Sequence, residues 1–170
     1  MPVDPARLQI VVHPHPVLRQ RAQEVAAVTD EVRGVALRML DLMHEAPGVG
    51  LAAPQVGLSW RMFVANPTGE PEDDLVFVNP RFAELGRDQD LHDEGCLSLP
   101  DITCQVRRPT FAVIEALDLQ GQSFRLAGEG FAPRVWQHEY DHLEGVLIID
   151  KMSPSDRIAN RQALRALEEA

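Results

Sequence analysis

The sequence predicts an α+β fold, in which small and mainly antiparallel sheets surround a central, metal-binding H-E-x-x-H helix, with one further helix near each end of the chain. Three observations predict this fold. Apolar residues recur at helical spacing near the N-terminus, short apolar runs bounded by turn residues fill the middle, and the motif lies in apolar surroundings near the C-terminus. Because the length and composition are ordinary for a globular protein, we expect one domain over residues 1–170.

Residues 29–43 predict the N-terminal helix. Thr29 is a suitable N-cap, and Asp30 and Glu31 place negative charge in the first turn, where the helix dipole favours it. The predicted apolar face consists of Val32, Val35, Met39, Leu40 and Met43.

Three short apolar runs predict strands in the middle of the chain: Met62–Ala65, residues 75–78 and Phe111–Leu117. The last of these is followed by a turn at Gln120-Gly121.

The motif helix is expected to begin near Gly130 and to stop at Gly145, since glycine is the usual residue just beyond a helix end. A short strand is predicted at residues 146–149. Ser153 followed by Pro154 is then expected to open the C-terminal helix.

The overall charge and the ends of the sequence limit the class of protein. The net charge of −10 argues against a general nucleic-acid surface, so no specific nucleic-acid partner is expected. The N-terminus has neither an apolar signal core nor a transit-peptide character, and no apolar run has membrane-spanning length. We therefore expect a cytoplasmic protein with no membrane partner; an organellar location stays open in case a transit peptide has been removed.

The H-E-x-x-H motif supplies candidate metal ligands. His138 and His142 are four residues apart, so on a helix they lie on the same face, and Glu139 is placed to handle the proton of a water molecule at the metal. The same pattern also occurs by chance, with histidines that are ordinary polar helix residues. The apolar neighbours Val135 and Leu143 favour the metal site, because unpaired buried imidazoles are costly.

The third ligand is expected upstream of the motif. In one subclass of H-E-x-x-H proteases the third ligand is a histidine six residues after the motif, but position 148 is Ile148 and no histidine follows His142. Another subclass uses a downstream glutamate, but the candidates Glu168 and Glu169 lie at the chain end. A thiolate with two imidazoles is a suitable catalytic ligand set, which favours Cys96; the alternative is a small buried side chain, the fate expected for Cys104. A disulfide between the two is not expected.

A glycine-rich segment, residues 48–57, lacks the lysine of a phosphate-binding loop. It is either an ordinary loop or a stretch of small residues that lets backbone approach a metal cleft closely, with Gln55 as an amide donor.

Three motifs together resemble the peptide deformylase family. They read GVGLAAPQ from Gly48, EGCLS from Glu94 and QHEYDHLEG from Gln137, in the family's order. The resemblance extends to residues 13–19 and 106–108, so it covers nearly the whole chain.

The resemblance implies removal of the N-formyl group from the initiator methionine of nascent polypeptides, with release of formate. Glu139 would accept a proton from water and return it to the leaving amine. The Gln55 amide and the Leu97 backbone N–H would donate to the developing oxyanion. The implied metal ligands are Cys96, His138 and His142.

Substrate-binding residues are also implied. The backbones of Gly50 and Gly95 would pair with the substrate main chain. The candidates for the methionine pocket are Val49, Val135, Phe131 and His138, although Phe131 is equally suited to core packing.

Three nearby positions are not assigned to the catalytic residues. His92 stands where the family often has an apolar residue, and Thr103 stands where some relatives have an arginine. Arg108 is interpreted as an ion-pair partner, with Glu94 as its candidate partner.

One divalent metal ion is the implied cofactor, with Fe²⁺ as the physiological ion and Zn²⁺, Ni²⁺ or Co²⁺ as substitutes. The implied partners are N-formylmethionyl nascent peptides, with the ribosome near its exit tunnel as a further candidate. Three alternatives stay open at this point: a general metallopeptidase, a catalytically silent relative that binds formyl-peptides, and a structural metal protein. The last would normally have four protein ligands.

Overall fold

A computed structural model describes residues 2–170. It has two antiparallel sheets and four α-helices within that range, which confirms the predicted α+β class. The helices are α1 (Asp30–Glu45), α2 (Phe131–Leu143), α3 (Pro154–Ala159) and α4 (Arg161–Glu169). The strands are β1 (Gly50–Ala52), β2 (Met62–Ala65), β3 (Leu75–Leu85), β4 (Gln89–Cys96), β5 (Leu99–Pro109), β6 (Phe111–Leu117) and β7 (Ser123–Glu129).

The larger sheet has five strands in the order β1-β2-β3-β6-β7 and lies between two helices. Alternate residues of β2 show this arrangement. Met62 and Val64 belong to the core cluster shared with α1, whereas Phe63 and Ala65 belong to the cluster shared with α2. Because side chains alternate across a strand, a strand buried on both faces is apolar throughout, and this explains the continuous apolar run of β2.

The smaller sheet is the hairpin β4-β5, and it holds a separate core against the N-terminal segment and the C-terminal helices. Its register pairs Glu94 with Cys104 and is interrupted between Gly95 and Cys96. The third core cluster includes Leu18, Leu99, Val106 and Leu147. This second sheet and core place the end of β4 beside α2.

The predicted N-terminal helix is confirmed, and its cap has the expected geometry. The Thr29 side chain accepts a hydrogen bond from the backbone N–H of Val32, and α1 continues two residues past the predicted end, to Glu45.

The strand predicted at residues 75–78 is longer in the structure, because β3 continues to Leu85. Asn79 has a positive φ of 50°, which interrupts the register with β6 without ending the strand. Its side chain exchanges two hydrogen bonds of 2.8 Å with the backbone of Val25. An Asn-Pro dipeptide usually indicates a turn, but here Asn79-Pro80 forms a β-bulge, and the hydrogen bonds to Val25 hold it in place.

The strand predicted at residues 146–149 is wrong. The chain forms a single 3₁₀ turn there, Ile148–Asp150, and the Asp150 side chain accepts a hydrogen bond of 3.0 Å from the N–H of Leu147. The apolar run reflects burial in the third core cluster rather than strand pairing.

The predicted terminal helix begins at Pro154 as expected but is divided at Asn160. The Asn160 amide donates to the backbone oxygens of Thr103 and Asp156, so it fixes the bend against β5.

Candidate metal centre and cleft

Helix α2 carries five of the predicted site residues, among them both histidines and Glu139, and is fixed at both ends. It begins after Gly130, which has φ 85°, as the sequence predicts. Beyond its C-terminal end, Gly145 has φ 74°, and a Cβ there would lie 2.7 Å from the Arg19 backbone oxygen, so glycine is needed. The buried Arg61 donates to the Leu143 backbone oxygen at 3.1 Å, which satisfies a free carbonyl at the helix end.

The end of β4 brings Cys96 to the histidines of α2. One ligand atom from each of Cys96, His138 and His142 lies within 4.8 Å of the others. The Cys96 Sγ is 3.5 Å from the His142 Nε2. Bond lengths of about 2.3 Å to sulfur and about 2.0 Å to nitrogen in a tetrahedral site require a separation of about 3.5 Å. The three donors therefore fit one divalent metal ion.

The two imidazoles are prepared for this role in different ways. The His138 Nδ1 lies 2.9 Å from Glu94 Oε1, which leaves Nε2 for the metal and resembles the carboxylate–histidine pairs found at many metal sites. Burial lowers the pKa of His142 well below its usual value, so this ring is neutral, as a ligand must be.

Glu94 is held by two buried arginines. Arg108 donates to both of its carboxylate oxygens, at 2.6 and 2.9 Å, and Arg134 donates to one at 2.5 Å. Burial alone would raise the pKa of Glu94, but the hydrogen bonds from His138 and Arg108 outweigh it and hold the pKa well below the usual range. The predicted pair of Arg108 with Glu94 is thus present, and it belongs to a larger cluster.

Glu139 is placed beside the three donors and is not one of them. Its Oε2 is 4.0 Å from the His138 Nε2, and its Oε1 has no hydrogen-bond partner among residues 2–170. Burial raises the pKa of Glu139 to about 7, against the opposing charge of His138. A carboxyl group with a pKa near neutrality and a free oxygen is suited to accept and return a proton.

The glycine-rich segment passes directly over this carboxylate. A Cβ on Gly50 would lie 2.5 Å from the Glu139 Oε2, and a Cβ on Gly48 would lie 2.9 Å from the Leu97 side chain. The close approach anticipated for this segment therefore occurs at Gly50, where β1 forms the edge of the large sheet.

Gln55 points its amide toward the sulfur ligand. Its Nε2 lies 3.5 Å from the Cys96 Sγ and 3.2 Å from the Ser98 Oγ, while its Oε1 accepts a hydrogen bond of 3.0 Å from the N–H of Ala52. Hydrogen bonds therefore orient both the oxygen and the nitrogen of the Gln55 amide, and its NH2 group faces the metal centre.

A cleft of about 500 Å³ opens beside the three donors, and Cys96 and His138 line it. Its lining includes Val49, Gly50, Gln55, Gly95, Leu97, Thr103, Phe131, Val135 and Glu139. Val49 is 42% exposed and Phe131 is 53% exposed, whereas Val135 is buried, so the apolar wall runs from the interior to the surface. His92 lies outside this lining and pairs with Asp90 at 3.1 Å.

The two cysteines have different surroundings. Cys96 is part-buried at the cleft, whereas Cys104 is buried, as predicted, and burial raises its pKa to about 11. Both are free thiols.

Two residues of the site were not predicted. Ser98 holds Gln55, and Arg134 holds Glu94. The sequence did contain a signal for Arg134, because it precedes His138 by four residues and so shares the face of the helix that carries the histidines.

A cysteine sulfur, two imidazoles and a buried carboxylate at the base of an apolar cleft define a metal-dependent hydrolase. The chain matches the polypeptide deformylase family over residues 7–158, and it belongs to that family.

The relatives agree with this assignment. The chain is 39% identical to a peptide deformylase of Acinetobacter baumannii, over 95% of this chain and 92% of the relative. It is also 39% identical to the chloroplastic/mitochondrial peptide deformylase 1B of Arabidopsis thaliana, and there it spans 95% of its own length but 60% of the relative.

Solved structures agree in fold. The crystal structure of peptide deformylase from Plasmodium falciparum superimposes with a TM-score of 0.91 at 38% identity, covering 95% of each chain. That from Thermotoga maritima superimposes with a TM-score of 0.82 at 39% identity, covering 86% of this chain and 98% of the other. Within residues 2–170, no helix is long and apolar enough to cross a bilayer.

Proposed function

We propose that this chain hydrolyses the N-formyl group of N-formylmethionyl nascent polypeptides and releases formate. One observation carries the proposal. The buried Glu139 carboxylate has a free oxygen at the base of an apolar cleft, beside a cysteine sulfur and two imidazoles that fit one metal ion. Family membership supports the same reaction.

The proposed metal ligands are Cys96, His138 and His142. A divalent ion bound there would supply a Lewis acid for the formyl oxygen and would lower the pKa of water toward neutrality. Glu94 contributes by holding the His138 ring through Nδ1, so the ligand nitrogen points in a fixed direction.

Glu139 is the proposed proton carrier. It accepts a proton from the attacking water and delivers it to the amine nitrogen as the C–N bond breaks, so the proton is conserved within one turnover. Its Oε1 has no hydrogen-bond partner among residues 2–170, so this oxygen is available for both halves of the task.

The proposed oxyanion donors are the Gln55 amide and the Leu97 backbone N–H. Gln55 is held at both ends, by Ala52 and Ser98, so its amide group is oriented toward the metal centre before charge develops on the formyl oxygen.

The substrate main chain is proposed to lie along Gly50 and Gly95. Gly50 is on the edge strand β1 and Gly95 is near the end of β4, and both line the cleft. Val49, Val135 and Phe131 are proposed to contact the methionine side chain, because they form an apolar wall beside the three donors.

Formate release tests the proposal. The metal-loaded protein is incubated with a formyl-methionyl tripeptide and with its acetylated counterpart, and formate or acetate is measured. We expect formate release and, on the acetylated peptide, a rate lower by orders of magnitude. Cleavage of internal amides in unformylated peptides would instead indicate a general metallopeptidase. Binding of the formyl-peptide without formate release would indicate a silent relative.

Fe²⁺ is the proposed physiological ion. Iron expands beyond four ligands more readily than zinc, but an iron-bound thiolate exposes Cys96 to oxidation. Anaerobic Fe²⁺ protein should be more active than the Zn²⁺ form and lose activity in oxygen, while the Ni²⁺ form should be active and stable in air. Equal, oxygen-insensitive activity of the Fe²⁺ and Zn²⁺ forms would contradict this choice.

Formylated nascent peptides are the proposed partners, and docking on the ribosome stays a prediction. The cytoplasmic location also stays a prediction, since the relatives include bacterial proteins and a chloroplastic/mitochondrial one.

A further inference from the structure

Arg134 is a buried arginine on the cleft side of α2, outside the H-E-x-x-H motif. Its side chain is 7% exposed, and it lies one helical turn before His138. A buried guanidinium is costly unless its donors are paired, so its contacts indicate what it is there to hold.

Arg134 links α2 to both strands of the β4-β5 hairpin. Its Nη1 donates to Glu94 Oε2 at 2.5 Å and to the Val106 backbone oxygen at 2.9 Å. Its Nη2 donates to the backbone oxygen of Asp90 at 3.0 Å and to the Asp90 carboxylate at 2.8 Å. One planar group thus joins the helix that carries two imidazoles to the strand that ends at Cys96.

Arg134 also completes the set of partners around Glu94. Oε1 of Glu94 accepts from the His138 Nδ1 and from Arg108 Nη2, and Oε2 accepts from Arg108 Nε and Arg134 Nη1. A carboxylate has about four acceptor positions, so all of them are used. Arg108 comes from β5, the partner strand of β4, and reaches α2 through Asp141, whereas Arg134 comes from α2 itself.

We propose that Arg134 is a positioning residue for the metal site: it fixes the Glu94 carboxylate that orients His138, and it sets the separation between α2 and the strand bearing Cys96. The inference rests on the proposed metal site. It is tested by metal retention, which does not depend on deformylase activity, so its failure is distinguishable from failure of the proposed function.

The primary test compares Arg134→Met with Arg107→Met. Arg107 is exposed on β5 and forms no ion pair among the described residues, so it controls for loss of one positive charge at the hairpin that Arg134 contacts. We measure the rate at which a chelator removes Co²⁺ and the visible absorption of the Co²⁺ form. Arg134→Met should release cobalt about 10- to 100-fold faster, with altered absorption, since supporting residues contribute that much to metal affinity. Arg107→Met should match the parent protein.

A conservative variant covers the case in which Arg134→Met does not fold. Arg134→Lys keeps the charge and can contact Glu94, but its single amino group cannot also reach Val106 and Asp90, as the planar guanidinium group does. It should fold and show intermediate cobalt release, with kcat lowered more than KM. Parent-like absorption and release in both variants, with only a lower unfolding temperature, would make Arg134 a purely structural residue and overturn the proposal.

A double-mutant cycle tests whether Arg134 acts through Glu94. In a Glu94→Gln background the charge that Arg134 holds is gone, so adding Arg134→Lys should change cobalt release less than it does in the parent protein. Full additivity of the two effects would overturn the proposed route through Glu94.

Discussion

Glu139 combines deep burial with an unpaired carboxylate oxygen, and a residue that served only stability would not be left in this state. Its Oε2 is beside His138 but 4.0 Å from the ring nitrogen, which is too far for a hydrogen bond. The carboxylate is therefore near the metal site and free to exchange a proton.

Replacement of this carboxylate should separate catalysis from metal binding. Glu139→Ala is expected to lower kcat by about 10²- to 10⁴-fold, the usual contribution of a general acid–base group, while metal content stays stoichiometric. Formate release and elemental analysis measure the two effects. Glu129→Ala, on the exposed face of β7, serves as the control. Loss of metal from purified Glu139→Ala would make Glu139 a ligand.

A side chain at Gly50 should impair catalysis, because Gly50 lies directly against the Glu139 carboxylate. The added Cβ of Gly50→Ala would meet the Glu139 carboxylate at 2.5 Å, so either β1 or Glu139 must move. We expect kcat to fall by about 10²-fold, because displacements near 1 Å can cost that much in a positioned site. Gly34→Ala, within α1, is the control. Unchanged formate release by Gly50→Ala would contradict the close approach of β1.

Sequence alone predicted the three donors that the structure brings together, because each of them is part of a local motif. His138 and His142 are related by helical spacing, and Cys96 lies in its own five-residue pattern. Arg134 and Ser98 act through contacts with Glu94 and Gln55, and such contacts depend on how the hairpin, the N-terminal segment and α2 pack.

At the scale of elements, the 3₁₀ turn Ile148–Asp150 holds the chain after the metal helix. Asp150 accepts from the Leu147 N–H and pairs with Arg19 at 2.5 Å, so the turn is tied to the N-terminal segment. Burial would raise the pKa of Asp150, but Arg19 and the Leu147 N–H together lower it.

This pair predicts a pH-dependent stability. Because the folded pKa is below the unfolded value of about 3.9, the contribution is present above about pH 4 and is lost as pH falls through the folded pKa. Asp150→Asn should therefore destabilise by about 0.5–1 kcal/mol at pH 7, a figure limited by the exposure of both partners, and by progressively less in acid. Urea unfolding at several pH values measures it, with Asp41→Asn as the control. A deficit independent of pH would contradict the ionic contribution.

The elements that were predicted correctly have their determinants within a few residues. Thr29 caps α1, and the Phe111–Leu117 run is bounded by turn residues. The extension of β3 depends on Asn79 bonding to Val25, and the run at 146–149 is apolar because a distant hairpin covers it. Short apolar runs do not distinguish pairing from burial.

At the scale of the whole molecule, we propose that the chain behaves as one cooperative domain. Helix α2 packs against the large sheet on one side and contacts the hairpin on the other, so the two sheets share it. Trp60 packs on the first core cluster and Trp136 lies within the second, so the core on each face of the large sheet has its own fluorescent reporter.

Single-tryptophan variants test this cooperativity. Trp60→Phe and Trp136→Phe should each show one unfolding transition, and for each variant its fluorescence midpoint should coincide with its far-ultraviolet circular dichroism midpoint in urea. Bound metal should raise both midpoints, because it stabilises the folded state alone. Within either variant, separate midpoints from the two signals would indicate independently unfolding units.

The two thiols differ in reactivity, and this difference allows the fraction of metal-loaded molecules to be measured by alkylation. Cys104 is buried and its pKa is raised to about 11, so at neutral pH it is almost entirely a thiol and reacts poorly with electrophiles. Cys96, at the cleft, is reactive when free and shielded when a metal holds its sulfur. Alkylation under native conditions should therefore mark one cysteine in each empty molecule and none in each loaded one, so that the mass spectrum of a mixed preparation reads directly as fractional occupancy.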